Sequence, residues 1–223
     1  MTSSMTRSPL SEIERDSEDL ATAVKQRLGW FCGHPSAHAR FLNTLSLMEH
    51  IGSRKIMMSQ TSQDPGGDTL RHLAEETRHA YFFKRAAEKL ARGTLGYGAD
   101  ETVAGAAARF YMERLDAGIA RSLDGAPASA LPYLYMSLIV ELRAVWFYRL
   151  YQESLTEHEQ GLSLKSVLAE EELHLATMLA RLSDMDPDCT AHITQFEALE
   201  QQRFRALWDA IEAECSGVRL AAE

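Results

Sequence analysis

The 223-residue chain contains three cysteines and six prolines, carries few basic residues for its acidic ones, and has no long apolar run. Each scarcity excludes something. Cys32, Cys189 and Cys215 are far apart and odd in number, so neither a disulfide framework nor a rubredoxin-type Cys-x-x-Cys iron site is present. That cysteine usage makes the cytoplasm the natural compartment. The opening segment MTSSMTRSPLSEIERDSEDL lacks the apolar stretch of a secretion signal, and nowhere do about 18 apolar residues follow one another. No membrane insertion is expected. With 23 Lys and Arg against 32 Asp and Glu, the net charge is −9, which argues against general nucleic-acid binding. A hydrophobic content of 45% suffices for one domain with a substantial core.

What the chain does have is a repeated pattern of acids and histidines. Glu49 is followed 27 positions later by Glu76, in a Glu-x-x-His unit with His79; Glu141 is followed 30 positions later by Glu171, in a second such unit with His174. Residues three apart on an α-helix point roughly the same way, so each Glu and His can reach one metal ion. Each acid also sits in an apolar stripe. Leu42, Leu45 and Ile56 share the face of Glu49; Leu73, Ala80, Phe83, Ala87 and Leu90 that of Glu76; Leu134, Leu138, Ala144, Val145 and Tyr148 that of Glu141; Leu164, Val167, Leu168, Leu175, Met178 and Leu182 that of Glu171. An unpaired carboxylate in a dry core costs several kcal/mol or takes up a proton. Four of them call for a shared cation, and two divalent metals balance four carboxylates, with the histidines as neutral ligands. The competing explanation is a helical bundle whose buried acids pair with Arg78 and Arg143.

Turn signals divide the rest into helices. Residues 1–10 are expected to be disordered and 11–223 to form one domain. A polar leading helix is expected from about Ser11 to Leu28, then metal-bearing helices over about Ser36–Ser59 and Asp68–Arg92. The second stops at GTLGYGAD, whose Gly93, Gly96 and Gly98 suit left-handed turns. A crossover helix is expected from Glu101 to about Leu123. The third metal-bearing helix covers about Ala128–Glu157, with Pro132 in its first turn, and the fourth about Leu162–Ser183. A last helix, about Cys189–Cys215, is expected to pack on the bundle or a second subunit.

This arrangement resembles the ferritin-like diiron carboxylate superfamily, whose members include ferritins, rubrerythrins, ribonucleotide reductase small subunits, bacterial multicomponent monooxygenases and aldehyde-deformylating oxygenases. The resemblance covers about residues 36–184 and rests on Glu49, Glu76, His79, Glu141, Glu171 and His174. It implies an all-α, ferritin-like four-helix bundle with a helical crossover and extra N- and C-terminal helices. In several oxygen-activating members an acid before the Glu of each Glu-x-x-His bonds the histidine on the opposite helix. Glu75 and Glu170 occupy those places here, in E-E-T-R-H and E-E-E-L-H, with Arg78 beside the first; Glu replaces the usual Asp, and Leu173 stands where an arginine could have stood.

The function implied is that of a non-haem diiron oxidoreductase, an O2-activating oxygenase, hydroxylase or oxidase. It would use two iron ions, with manganese or a mixed pair as variants, O2, a small organic substrate and an external reductase or ferredoxin-like donor. A homodimer is compatible with this. Ferroxidase and storage activity, a rubrerythrin-like peroxidase, and a non-catalytic interaction protein are the alternatives. Ala80, Phe83, Ala144, Val145 and Met178 are candidates for a substrate pocket. His72, one turn before Glu76, is a candidate extra ligand or gate, though a first-turn histidine is more often near solvent. Tyr148 is a candidate for hydrogen bonding near the metals, with core packing the commoner role. His50, next to Glu49, points about 100° away and is not a ligand candidate.

Overall fold

The computed structural model describes residues 8–59, 65–123 and 130–221, with side chains to residue 217. Among these residues the regular structure is helical: α1 (Pro9–Asp16), α2 (Glu18–Gly33), α3 (Pro35–Ser59), α4 (Gly67–Ala91), α5 (Gly105–Ser122), α6 (Leu131–Glu157), α7 (Lys165–Met185) and α8 (Cys189–Ala221), with a 3₁₀ turn at Ala99–Glu101. Of residues 1–10, expected to be disordered, 1–7 lie outside the described residues, whereas Ser8 caps α1 and Pro9 and Leu10 begin it. The expected turn DGAPAS lies outside them too.

Two helical hairpins, α3 with α4 and α6 with α7, pack together through α3–α6 and α4–α7 contacts. This bundle is enclosed further. α5 lies on α3 and α6, α8 on α5 and α6, and α1 and α2 against α6. α6 is apolar on nearly every side because it meets neighbours all round: Leu134, Tyr135, Leu138, Ile139, Val145 and Tyr151 have no exposed surface. The core continues through Phe31, Phe41, Phe83, Phe196 and Trp208. Among the described residues no helix is long and apolar enough to cross a membrane. The three cysteines are free and buried.

Several boundaries differ from those read in the sequence. The leading helix is two helices, broken at Ser17. There the fully buried hydroxyl of Ser17 accepts from Arg143 Nη1 at 2.8 Å and donates to Gln201 Oε1 at 3.1 Å. A long-range need of a buried guanidinium thus sets a local break. α4 ends on Arg92, not on a glycine, in the left-handed region at φ 55°. Gly96 is needed for closeness instead: a Cβ there would lie 2.7 Å from Glu101 Oε2, whose carboxylate accepts the Gly96 amide. The crossover helix begins at Gly105, four residues later than expected. Ala104 is left-handed at φ 51°, and a Cβ on Gly105 would sit 2.2 Å from Thr102 Oγ1. α8 runs six residues past Cys215.

Candidate metal centre

α3, α4, α6 and α7 each deliver an acid to one point in the bundle. Glu49, Glu76, Glu141 and Glu171 are each less than a tenth exposed, as are His79 and His174. Their donor atoms fall into two sets whose members lie within 4.8 Å of one another: Glu49, Glu76, His79 and Glu171 in one, His72, Glu76, Glu141 and His174 in the other. Glu76 belongs to both. Glu171 reaches both histidines as well, with Oε1 3.1 Å from His79 Nδ1 and Oε2 3.5 Å from His174 Nδ1. The structure therefore brings all six sequence candidates together, with Glu76 and Glu171 in the middle.

The outer nitrogens of the histidines are held across the bundle. His79 Nε2, on α4, lies 2.7 Å from Glu170 Oε2 on α7; His174 Nε2, on α7, lies 2.7 Å from Glu75 Oε2 on α4. A carboxylate accepts, so each Nε2 carries a proton and each Nδ1 turns inward, where its loss of a proton to a metal would free a lone pair for ligation. Arg78 Nη2 bonds Glu170 at 2.5 Å. Burial pushes Glu170 up, but Arg78 and His79 outweigh it and hold the carboxyl below its ordinary value.

His72 is buried rather than near solvent, because α6 covers it: Tyr133, on that helix, bonds its Nδ1 at 2.9 Å. Its Nε2 faces the cluster, 3.0 Å from Glu141 Oε1 and 3.5 Å from Glu76 Oε1. Tyr148 packs in the core and also donates its hydroxyl to Glu49 Oε1. His50 lies outside the cluster, stacked on Tyr97 with ring centroids 5.9 Å apart.

Six buried atoms here have no hydrogen-bond partner: Glu76 Oε1, both oxygens of Glu141, Glu171 Oε2, His79 Nδ1 and His174 Nδ1. Some are close to one another but off-line for hydrogen bonding. Orphaned buried polar groups are rare and costly, and so many converging in one place fit a cation. The arginines do not supply it. Arg143 is committed to Glu200, at 2.7 Å, and Arg78 to Glu170. Burial and the neighbouring carboxylates push Glu49 and Glu141 well up. Burial alone would lower His79 and His174, but the surrounding glutamates raise them to about 10 and about 9. Glu171 also resists burial, because both histidines draw it down to about 2. Hard oxygen donors with two or three imidazoles suit iron, manganese or zinc.

The four acids also line a cavity of about 80 Å³ that extends between α3, α5, α6 and α8. Its walls include Phe41, Met48, Met112, Phe147, Phe204 and Trp208. Of the residues expected to form a pocket, Ala144 and Tyr148 line it. Ala80, Phe83 and Val145 do not. Fully buried Phe83 and Val145 fill the neighbouring layer, Phe83 against Tyr148 at 5.5 Å, and Ala80 packs under Ser46, whose hydroxyl bonds its carbonyl. Met178 lies at a small separate cavity with His72 and His174. A wider space of about 280 Å³, lined by His72, Tyr133, Lys55, Asp116 and exposed Met58, shares Gly52, Glu76, Met112, Val140 and Glu141 with the first. A Cβ on Gly52 would lie 3.3 Å from Glu76 Oε2. The role of α8 in lining the cavity was missed in the sequence. Gly52, a lone glycine inside a helix three residues after Glu49, was a readable sign of close approach.

Comparison with protein-family models, with curated proteins and with solved structures finds no match to this chain.

Proposed function

We propose that the cluster holds two divalent metal ions, iron or manganese, in a ferritin-like bundle, and that the protein is an O2-dependent oxidoreductase acting on a small organic molecule with an external electron donor. The convergence of six partnerless buried donor atoms carries this reading. When bound and reduced, such a metal pair supplies O2 binding and electrons for oxidation. The chain's own residues do the rest. Glu49, Glu76, Glu141 and Glu171 would hold the ions through carboxylate oxygens, Glu76 being common to both donor sets, with His79 and His174 offering Nδ1 and His72 offering Nε2 beside Glu141. Glu75 and Glu170 hold the imidazoles in the ligating tautomer. Tyr148 steadies Glu49. The apolar walls beside the acids exclude bulk water and leave room for a substrate group.

The test is anaerobic Fe(II) loading of chelator-stripped protein, followed by O2 exposure with absorption and particle size recorded. Two metals per chain in a small oligomer, with O2 consumption coupled to an organic substrate, are expected. One metal or none would remove the dinuclear reading; a hollow shell holding hundreds of irons would turn it to storage.

A further inference from the structure

The walls of the apolar cavity include several polar side chains, and nearly all are already satisfied within the protein. Thr44 Oγ1 bonds the Val103 carbonyl at 2.8 Å and accepts its amide at 2.9 Å. Tyr111 donates to Glu200 at 2.8 Å, Arg143 to Glu200 and Ser17, and Tyr148 to Glu49. One donor differs. Trp208, on α8, lines the cavity and is 2% exposed, yet its indole Nε1–H has no partner. A buried donor left unpaired costs about 1–3 kcal/mol, so at this position a partner is missing. The four cluster carboxylates line the same cavity.

We propose that the cavity is a binding site for a small, mostly apolar molecule carrying one hydrogen-bond acceptor, a carbonyl or ether oxygen, to which the indole N–H of Trp208 donates. The aromatic and methionine walls take the apolar body, and no free donor or acceptor elsewhere on the wall welcomes a second polar group, apart from the cluster itself. Size follows from the volume. An engineered apolar cavity of roughly 150 Å³ takes benzene, so about 80 Å³, near half of that, fits about three or four non-hydrogen atoms as it stands, and a five-carbon ketone needs Met48 and Met112 to yield. That this ligand is the substrate rests on the proposed function; that it binds does not.

The probes are 2-pentanone and its near-isostere 2-methylpentane, in which CH–CH3 replaces the carbonyl. Each is titrated into metal-loaded and into chelator-stripped protein, with affinities from ligand-observed NMR and the Trp208 indole signal followed by ¹H–¹⁵N NMR. The indole proton of the wild type is expected to move downfield with the ketone and not with the hydrocarbon. Trp208→Phe is expected to weaken the ketone about 3–10-fold, in keeping with one net hydrogen bond, and the hydrocarbon less than twofold. An indole signal that ignores the ketone, or equal effects of Trp208→Phe on both probes, would overturn the proposal. The wild-type NMR measurement needs no variant to fold. Persistence of the ketone response in protein that binds no metal would leave the cavity standing and the dinuclear reading fallen, so the two failures are distinguishable.

Discussion

Removing the carboxylate behind one histidine should loosen one metal more than the other. Glu170 and Glu75 make the same 2.7 Å contact to His79 and His174, but their surroundings differ. Glu170 also bonds Arg78, and its side chain is 29% exposed; Glu75 is 15% exposed. Glu75→Ala leaves the Nε2–H of His174 without its acceptor, and Glu170→Ala does the same to His79, which is 1% exposed. Losses of this kind cost about 10–100-fold in metal affinity, or roughly 1.4–2.7 kcal/mol. Glu→Gln at either site keeps an acceptor oxygen and gives up only the charge, so it should fall within about the lower tenfold. Arg78 is more than half exposed, and Arg78→Ala should change affinity by less than about fivefold, as exposed ion pairs do. Competitive titration of Co(II) or Mn(II) into stripped protein resolves the two steps. Glu170→Ala should weaken the step associated with His79 and Glu75→Ala the one associated with His174, with some cross-effect through Glu76 and Glu171. Wild-type binding in both alanine variants would refute the assignment of these acids as the groups that orient the imidazoles.

Two further outcomes follow from the same geometry. His72→Ala should weaken one of the two binding steps at least about tenfold while the other holds; two unchanged steps would show that His72 only packs against Tyr133. Away from the cluster, burial and the charges of Glu12, Asp16 and Glu200 push Glu197 up to about 7, and its Oε1 has no partner. A raised folded-state carboxyl holds a proton that the unfolded chain has released, so stability present at pH 4.5 is lost as pH rises towards 7. Glu197→Gln should therefore raise the melting temperature at pH 8, by the equivalent of about 1–3 kcal/mol, and leave it little changed near pH 4.5; an equal gain at both pH values would contradict the cause.

The sequence and the structure agree most where a signal is local and periodic. The runs holding Glu49 and Glu141 are helical to within a few residues of where turn residues end them, because helix length and facing follow from spacing along one strand of chain. The cross-bundle pairing of Glu75 with His174 and Glu170 with His79 was also legible, through the resemblance that gives the acid before each Glu-x-x-His that partner. What was not legible depends on partners far away in the chain. The break at Ser17 goes with the bond its hydroxyl accepts from Arg143 Nη1, 126 residues later in the chain. The left-handed residue at the end of α4 is the exposed Arg92 although Gly93 follows it, against the usual preference for glycine there. The pocket moved because distant helices form its walls. Ala80 and Phe83 share a helical face with Glu76, but a helical face says nothing about which neighbour fills the space before it.

The decisive choice between a metal centre and an ordinary polar core rests on where the arginines go. Either explanation permits buried glutamates, and either permits histidines among them. A polar core needs its acids paired with the nearest cations, and both arginines that could have served are on this fold's outer side of the cluster or beyond it. Arg143 reaches away from Glu141, two residues earlier on the same helix, and gives its three nitrogens to Glu200, Ser17 and Gln201. Arg78, one residue before His79, points outward to Glu170. Each arginine stands two residues after an acid, Arg78 after Glu76 and Arg143 after Glu141, and helix residues two apart point about 160° from one another, so the backbone that turns the acids in turns the arginines away. Among the described residues the acids thus share their space with imidazoles and the Tyr148 hydroxyl, and the outer nitrogens of those imidazoles are already bonded to Glu75, Glu170 and, for His72, Tyr133. Within the chain, protonated His79 and His174 pair with Glu171, at 3.1 and 3.5 Å, and leave Glu49 and Glu141 raised by burial. A pair of divalent ions would take the place of those two inward protons and balance all four acids.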